Sequence, residues 1–278
     1  MKIGVIVESF RKSFEESTAL AAKIGADGVQ MYANTQTLNA ETTAAQLREI
    51  KKRLQGEGLE VSALCGDFGC DMYYTRDRKL IDREKRIMEM AKELGTDVVT
   101  THIGVVPEEE NCPQYESMQE VCRELASFAD TVGGHFAVET GPEKASLLCR
   151  FLDALGSRGV AVNFDPANLV MCAGDDPVSA VHILKKYIVH THAKDGVMLR
   201  KTDTRRLYAP TYFQLQSESW EDCIREVPLG KGGVDWKEYL NALKQIGYDG
   251  YLTIERECGD DPARDISAAV EFLRERVE

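Results

Sequence analysis

Runs typical of β-strands and runs typical of α-helices alternate along all 278 residues of this chain. Eight short apolar runs each precede a longer run in which apolar residues recur with helical spacing. We predict strands at Lys2–Val7, Gly28–Tyr32, Glu60–Leu64, Val98–Ile103, His135–Glu139, Val160–Phe164, Ile188–His192 and Tyr251–Glu255. We predict helices at Ser13–Lys23, Thr42–Leu54, Asp77–Glu93, Tyr115–Thr131, Glu143–Leu155, Val178–Lys185, Trp236–Ile246 and Pro262–Arg276. Such regular alternation is typical of a parallel sheet covered by helices.

Three short phrases show how a helix passes into the next strand. Residues 23–29, 92–98 and 244–250 each carry a lysine, a glycine two or three residues later and an aspartate two residues after the glycine. Glycine at this position caps a helix and lets the chain turn into a strand. We therefore predict one domain, residues 1–278, folded as a single (β/α)8 TIM barrel. A doubly wound open sheet is the alternative, although no GxGxxG follows the first strand.

One connection departs from this regular pattern. Residues 196–227 separate the seventh strand from the glycine-rich turn at 229–233, and they include Tyr208, Tyr212, Phe213 and Trp220. A connection of this length in a compact domain is usually functional or disordered. Its aromatic residues favour an ordered structure, so we predict a folded lid over the mouth of the barrel.

Composition argues against several classes of partner. The chain has 34 basic and 46 acidic residues and a formal net charge of −12, which repels phosphate backbones and anionic lipids. We therefore expect neither nucleic acid nor a membrane as a partner. The sequence has no signal-peptide pattern and no run of about 20 apolar residues. The eight cysteines form no CxxC pair, which is typical of reduced thiols, and the expected location is cytoplasmic.

Four predicted strands end at an ionisable side chain: Glu139, Asp165, His192 and Glu255. Residues two apart share one face of a strand, so these four should point inward together with Ala137, Asn163, His190 and Thr253. The apolar neighbours should face the helices: Val138, Phe164, Val189 and Ile254. The C-terminal ends of barrel strands carry the active site.

Four charged groups buried at one place need partners or a metal ion. Two glutamates, one aspartate and one histidine suit Mn²⁺, Mg²⁺, Co²⁺ or Zn²⁺, so we predict one divalent ion. Taken singly, each residue has an ordinary structural explanation. A glutamate can form a salt bridge, Asp165 can cap the turn at Pro166, and His192 can be a hydrogen-bonded core residue.

Five segments in chain order support a resemblance to a known family. They are VET at 138–140, NFDPAN at 163–168, HTHAKD at 190–195, PLGKGGVDW at 228–236 and GYLTIER at 250–256. With these segments the chain resembles the xylose isomerase-like TIM-barrel superfamily of sugar isomerases and epimerases. The resemblance implies that Glu139, Asp165, His192 and Glu255 are metal ligands. It also implies that Glu139 and Glu255 are the acid/base pair.

The implied reaction is the isomerisation or epimerisation of a sugar, a sugar phosphate or a keto-polyol. A proton leaves the carbon next to a carbonyl, and a metal ion stabilises the resulting enediolate. One carboxylate removes the proton and another, on the opposite face, returns one.

Six further residues are candidate substrate contacts: His102, Asn168, Glu8, Asp67, Lys194 and Lys231. His102 could instead be structural, or ligate a second metal as in the related abasic-site endonucleases. Asn168 stands where many relatives carry histidine, and an amide is a poor metal ligand. Lys194 and Asp195 could support the ligands or simply pair with each other. Lys231 could neutralise an anionic substrate, or its turn could only start a helix; Arg256 is expected to form a structural ion pair.

Three other functions stay open at this point. A lyase resembling the inosose dehydratases would use the same enediolate to expel a β-hydroxyl group. An abasic-site endonuclease is disfavoured by Asn168 and by the negative charge. A sugar-binding barrel without activity is the alternative of another class, because a fold does not determine a function. The expected partner is a small sugar or keto-polyol. The sequence leaves open whether the chain forms a homodimer or a homotetramer.

Overall fold

The computed structural model describes residues 1–277 and contains a closed barrel of eight parallel strands. The barrel strands are β1 (Lys2–Ile6), β2 (Gly28–Tyr32), β3 (Glu60–Cys65), β4 (Val98–Thr101), β5 (His135–Glu139), β6 (Val160–Phe164), β7 (Ile188–Ala193) and β10 (Tyr251–Ile254). Two further strands, β8 (Asp195–Met198) and β9 (Ile224–Val227), pair antiparallel outside the barrel. The strand order β1-β10-β7-β6-β5-β4-β3-β2 confirms the predicted (β/α)8 barrel.

Helices follow the barrel strands and cover their outer faces. The longer helices are α1 (Phe14–Lys23), α2 (Ala44–Gly56), α4 (Arg78–Leu94), α5 (Pro113–Thr131), α6 (Ala145–Leu155), α8 (Pro177–Leu184), α11 (Trp236–Gln245) and α12 (Pro262–Val277). Short ones are α3 (Asp71–Thr75), α7 (Pro166–Asn168), α9 (Arg205–Tyr208) and α10 (Trp220–Cys223). Local sequence sets several starts: the hydroxyls of Ser13 and Thr43 accept from backbone N–H groups in capping boxes. A predicted glycine cap is also present, since Gly95 ends α4 with φ 101°.

The core has an apolar layer outside the strands and a mixed layer inside the barrel. Outside, Phe164 stacks on Tyr239 with ring centroids 5.6 Å apart. Inside, His190 Nδ1 lies 2.9 Å from Asn163 Oδ1, and His190 Nε2 lies 2.9 Å from Thr253 Oγ1. These residues point into the barrel, as predicted. The alternation of inward and outward side chains continues from them to the strand ends.

Val189 departs from the predicted register. It packs with Ala137 and Ala161, two residues of the barrel interior, and does not belong to the layer under the helices. The register between β6 and β7 shifts at Val162/Asn163, where an irregularity lets adjacent residues depart from strict alternation. The prediction for Val189 was therefore wrong, while those for its neighbours His190 and His192 hold.

Residues 196–227, which we call the lid, are folded. They run through most of β8, then α9, α10 and β9, and the antiparallel pairing of β8 with β9 closes the segment at its base. The periodicity of the sequence did not predict this ribbon, nor α3, α7 and the π-helical turn at Leu169–Ala173. Strand β4 ends at Thr101, two residues earlier than predicted. All eight cysteines are free thiols.

In the part of the chain from residue 1 to 277, no helix combines the length and the apolar character that a membrane span requires.

Candidate metal centre

Four ionisable side chains converge at the C-terminal end of the barrel. Glu139 ends β5, Asp165 follows β6, His192 lies near the end of β7, and Glu255 follows β10. All four are buried, and one ligand atom from each lies within 4.8 Å of the others. We call these residues the four-residue cluster; no other set of this kind occurs among residues 1–277.

The distances within the cluster suit a shared cation. His192 Nδ1 lies 3.3 Å from Glu255 Oε2, 3.5 Å from Glu139 Oε1 and 3.7 Å from Asp165 Oδ2. Ligand atoms bound at about 2.0–2.3 Å to one ion lie about 3–4 Å from each other. Three carboxylates and one imidazole also form the donor set expected for a borderline or hard divalent ion.

Asp165 provides a test of this fit. Its Oδ1 accepts from the backbone N–H groups of Ala167 and Asn168, at 2.8 and 3.0 Å, and so caps α7. Its Oδ2 is buried and makes no hydrogen bond with any residue from 1 to 277. Burial raises the pKa of this carboxyl group. The cap that the sequence allowed as an alternative is present, but it uses one oxygen only, and the other is available to a ligand.

Gln30, a residue that the sequence reading missed, orients the imidazole of His192. Gln30 is buried inside β2, and its Nε2 donates to Thr100 Oγ1 at 3.3 Å. Gln30 Oε1 therefore faces His192 Nε2 at 3.2 Å and can accept its N–H. Asn163 Nδ2 also lies 3.2 Å from His192 Nε2. The tautomer with its proton on Nε2 would leave the lone pair of Nδ1 directed at the cluster, as metal binding requires. A buried glutamine within an apolar strand was the only sequence signal for this role.

Glu139 is the most heavily hydrogen-bonded member of the cluster. Asn163 Nδ2 donates to its Oε2 at 2.9 Å, and Asn168 Nδ2 donates to its Oε1 at 3.0 Å. His102 Nε2 lies 3.3 Å from Oε1. Burial would raise the pKa of Glu139, but His102 and His192 outweigh it and hold the pKa well below the usual range. Glu139 is thus kept ionised in a buried position.

Glu255 is held by a lysine. Lys194 Nζ donates to Glu255 Oε2 at 3.0 Å and to Glu257 Oε2 at 2.5 Å. Burial opposes ionisation, but Lys194 and His192 lower the pKa of Glu255 to about 2. Lys194 therefore lies against a cluster carboxylate, which is the supporting position that the sequence allowed for it.

His102 and Asp67 form a pair at the edge of the cluster. His102 Nδ1 lies 3.0 Å from Asp67 Oδ2, on the side of the ring away from Glu139. Burial disfavours the charged imidazole, but Glu139 and Asp67 raise its pKa well above the usual value. Both side chains are partly exposed, and they line the approach to Glu139. Asn168, by contrast, is buried, and its side-chain amide donates to Glu139 and to the carbonyl of Thr140.

The remaining candidates lie further from the cluster. Glu8 accepts from the backbone N–H of Tyr32 at 3.2 Å, and burial raises the pKa of Glu8 to about 7. Lys231 is exposed, and its amino group forms no ion pair within the described chain. Arg256 pairs with Glu226 and with Asp265, the latter at 3.0 Å, which confirms the predicted structural ion pair.

The suggestion that Asp195 pairs with Lys194 was wrong. The Asp195 carboxylate instead accepts from the backbone N–H groups of Gly230, Gly232 and Val234 and from Trp236 Nε1, at 2.9–3.2 Å. The glycine-rich turn therefore wraps around this carboxylate. A side chain at Gly232 would overlap it, so only glycine fits there. The turn has a structural purpose beyond starting α11.

The lid places one aromatic residue beside the cluster. Tyr208 is half-buried, with its ring centroid 6.3 Å from that of His102. Its hydroxyl donates to Cys172 Sγ at 3.5 Å. The same hydroxyl lies close to Gly141, where an added Cβ atom would be 3.1 Å from it. The ring packs edge-on against Trp220 from the same lid, with centroids 4.9 Å apart. The predicted lid thus reaches the mouth of the barrel near Glu139.

Comparison with known proteins gives relatives over most of the chain. An uncharacterised protein of Methanocaldococcus jannaschii is 25% identical over 246 residues, which cover 84% of this chain and 74% of the relative. An inosose dehydratase of Lacticaseibacillus casei is 27% identical over 130 residues, covering 47% of this chain and 41% of that enzyme. The second match thus spans less than half of either protein.

Solved structures match the whole barrel. A xylose isomerase domain protein from Planctomyces limnophilus superposes with a TM-score of 0.78 at 26% identity, covering 99% of this chain and 95% of that one. A probable 3-DHS dehydratase from Bacillus anthracis gives 0.76 at 19% identity, with 99% of both chains covered. A D-psicose 3-epimerase gives 0.72 at 17% identity, covering 100% and 99%. The last two likenesses concern the fold alone.

A family model described as a xylose isomerase-like TIM barrel matches residues 18–276, which is nearly the entire chain. This match agrees with the closed barrel and with the position of the cluster at its C-terminal end. The chain belongs to the xylose isomerase-like TIM barrel family.

Proposed function

We propose that this protein is a divalent-metal-dependent isomerase or epimerase of a sugar, a sugar phosphate or a keto-polyol. The observation that carries the proposal is the buried Asp165 Oδ2, which makes no hydrogen bond within residues 1–277 and lies 3.7 Å from His192 Nδ1. A buried carboxylate oxygen without a partner is costly unless a cation binds it. Glu139, Asp165, His192 and Glu255 would hold that cation.

The bound ion would polarise the carbonyl of the substrate and stabilise the negative charge of the enediolate. The protein itself would move the protons. Glu139 and Glu255 extend from β5 and β10, which are separated in the barrel by β6 and β7, so their carboxylates reach the site from different sides. One would remove the proton next to the carbonyl and the other would return a proton, which inverts the carbon centre in an epimerase.

Neighbouring residues would keep these two carboxylates ready for proton transfer. Lys194 favours the ionised form of Glu255, and the amide groups of Asn163 and Asn168 fix the orientation of Glu139. His102 Nδ1 faces Asp67 and Nε2 faces Glu139, so His102 would hydrogen-bond a substrate hydroxyl or carbonyl in place of its contact with Glu139. Glu8 and Lys231 form no hydrogen bond or ion pair with the cluster residues in the described chain and contribute least to this proposal.

The names of the relatives agree with the reaction class, although the likeness to the solved epimerase shows the fold alone. One solved neighbour is a D-psicose 3-epimerase, and a curated relative is an inosose dehydratase. Epimerases and dehydratases can share an enediolate and differ in whether a β-hydroxyl group then leaves. The charged imidazole that Asp67 and Glu139 favour at His102 is a possible acid for such a leaving group. A lyase is therefore the second candidate.

Metal content tests the proposal. The matched pair of variants is Asp165→Ala and Asp176→Ala, because both aspartates cap a helix that starts with proline and only Asp165 belongs to the cluster. We expect about one divalent ion per chain in the wild type and in Asp176→Ala, and loss of the ion in Asp165→Ala, by mass spectrometry. A wild-type protein that retains no ion after incubation with Mn²⁺ would contradict the proposal.

The reaction itself is then tested in D2O. A panel of ketoses and inososes is incubated with the metal-loaded protein, and deuterium incorporation is followed by NMR. Incorporation without loss of water supports an isomerase or epimerase, whereas incorporation with loss of water supports the lyase. A metal-loaded protein that binds sugars but exchanges no proton would indicate the inactive sugar-binding barrel.

A further inference from the structure

A cavity of about 990 Å³ is lined in part by the lid, and none of its lining residues takes part in the mechanism above. We call it the side cavity. Four parts of the chain line it: the loop from Val105 to Gln114 after β4, the start of α6 from Pro142 to Arg150, Cys172 and Ala173 of the π-helical turn, and the lid residues from Lys201 to Arg205 together with Phe213. Its volume is at the upper end of the roughly 300–1,000 Å³ typical of ligand sites.

Tyr208 contacts residues next to the cluster and also a residue that lines the side cavity. Tyr208 approaches His102 and Gly141 on the side of the cluster, and its hydroxyl donates to Cys172, which lines the cavity. The loop that bounds the cavity begins three residues after His102. Tyr208 therefore connects the surroundings of the cluster with the wall of the side cavity.

The lining of the side cavity suits a neutral, hydroxyl-rich group. Four basic and four acidic side chains line it, and with Glu143 mostly protonated near pH 7 the lining carries only a small net positive charge. Two of the basic groups are already paired, Arg205 with Asp203 at 2.7 Å and Arg150 with Glu110 at 2.8 Å. A phosphate or nucleotide would thus meet nearly as much repulsion as attraction. Charged and polar groups of both signs can serve as donors and acceptors for hydroxyls.

One wall also provides a rigid apolar surface and a buried acid. Phe213 is fixed by Tyr74, with ring centroids 5.5 Å apart, and by Arg205 at 5.6 Å from its ring. Glu143 accepts from the backbone N–H of Val106 at 3.3 Å, and burial raises its pKa to about 8, so near pH 7 it is mostly a neutral donor. An aromatic face together with several hydrogen-bonding groups is a suitable surface for a sugar ring.

We propose that the side cavity binds a second, neutral sugar unit attached to the ketose that reacts at the cluster. The preferred substrate class is then a ketose glycoside, larger than a free monosaccharide. This inference rests on the proposed function for the identity of the reacting sugar, but the occupancy of the cavity can be measured without turnover.

Binding by isothermal titration calorimetry tests the inference. The probes are D-fructose and three disaccharides that keep a free fructose ketone, namely maltulose, lactulose and isomaltulose. We expect at least one disaccharide to bind about tenfold or more tightly than D-fructose, because only a disaccharide fills both spaces. If all three bind no more tightly than D-fructose, or if none binds, the assignment of the side cavity is wrong.

A pair of variants locates the second sugar unit. Ser146 lies on the exposed side of α6 and lines the side cavity, whereas Ala154 is exposed on the same helix and does not line it. Ser146→Trp should fill part of the cavity and lower disaccharide affinity about tenfold relative to D-fructose affinity, whereas Ala154→Trp should leave the ratio unchanged. Equal effects of the two variants would contradict the inference.

The two proposals fail in different ways. If a disaccharide binds in the side cavity but incorporates no deuterium with the metal-loaded protein, the proposed reaction is wrong and the assignment of the cavity stands. If free ketoses exchange their proton and no disaccharide binds more tightly, the reaction stands and the assignment of the cavity is wrong.

Discussion

Two regions of this molecule bury carboxyl groups, and their electrostatics are opposite. Glu84 on α4 is fully buried, and neither of its oxygens makes a hydrogen bond with the described part of the chain. Burial, with a smaller effect of Asp67, raises the pKa of Glu84 well above its usual value. Glu139 is also buried, yet two histidines and two amides surround it and its pKa is lowered. Burial alone therefore neutralises a carboxyl group, and only its neighbours keep it charged.

This contrast separates the acids that can hold a cation from those that cannot. In the four-residue cluster, Glu139 and Glu255 stay ionised because cationic and hydrogen-bonding groups face them. Glu84 keeps its proton and offers no charge to a metal ion. The following predictions test whether the difference lies in the neighbours, as the structure indicates.

The largest effect is expected from Glu255→Gln. Loss of one carboxylate of the proposed acid/base pair should lower the rate of deuterium exchange about 10²–10⁴-fold at saturating metal. Glu84→Gln is the matched control, since it also removes a buried carboxylate, and it should retain the wild-type rate. If both variants lose activity equally, the loss reflects general destabilisation and the catalytic assignment of Glu255 is not supported.

A smaller effect is expected from Gln30→Leu. Without the acceptor at His192 Nε2, the imidazole is free to adopt the other tautomer, and metal affinity should fall about 10–100-fold. Titration of the metal-free protein with Mn²⁺ measures this change. Gln119→Leu removes another buried amide, which donates to the carbonyl of Phe151 on α6, and should leave metal affinity unchanged. An unaltered affinity in Gln30→Leu would remove Gln30 from the site.

Glu84→Met tests the other half of the comparison, namely the cost of burying a carboxyl group without partners. Replacing a buried carboxyl group that lacks partners by an apolar side chain should raise the free energy of unfolding by about 1–3 kcal/mol near pH 8. The size of this gain in the free energy of unfolding depends on pH. Because the pKa of Glu84 is higher in the folded state, the wild type binds more protons when folded, and its stability falls as pH rises above about 4.5.

The gain from Glu84→Met should accordingly be smallest near pH 4.5 and increase with pH. Urea denaturation at several pH values measures it. A variant that is less stable than the wild type at every pH would show that Glu84 has a structural partner or role.

The smallest effect is expected at the surface. Lys2 and Glu60 form an ion pair at 2.5 Å while both side chains remain at least half exposed. Glu60→Gln should change the free energy of unfolding by less than about 1 kcal/mol, and less at high salt, because water and ions screen the pair. A double-mutant cycle with Lys2→Met isolates the pair. A coupling free energy between Lys2 and Glu60 as large as the effect of Glu84→Met would mean that burial does not determine how much a charged group contributes to stability.

The barrel and the cluster could be predicted because each depends on local, repeated signals. Strand alternation placed Glu139, Asp165, His192 and Glu255 on one face, and the parallel topology then brought their strand ends together. Gln30 was missed because its role depends on a contact with His192, which is 162 residues away. A buried amide in a strand has no local pattern that reveals such a partner.

The lid shows a second limit. Its length and aromatic residues indicated an ordered segment, but its own secondary structure is made of four-residue elements with too few turns or pairs for a periodicity to appear. Asp195 was misassigned for a related reason. Its neighbour Lys194 was the obvious partner in sequence, whereas four backbone and side-chain N–H groups from residues 230–236 reach it only after the ribbon of β8 and β9 has folded.

The carboxylate of Asp195 has a consequence for how this protein could diversify. It ties the chain leaving the lid to the chain entering it, and β8 pairs with β9 beside it, so the segment from 199 to 223 begins and ends at fixed points. A segment anchored in this way behaves as a cassette. Descendants of this gene, or an engineer, can exchange the cassette to alter which molecules are accepted while the barrel and its four-residue cluster are inherited unchanged.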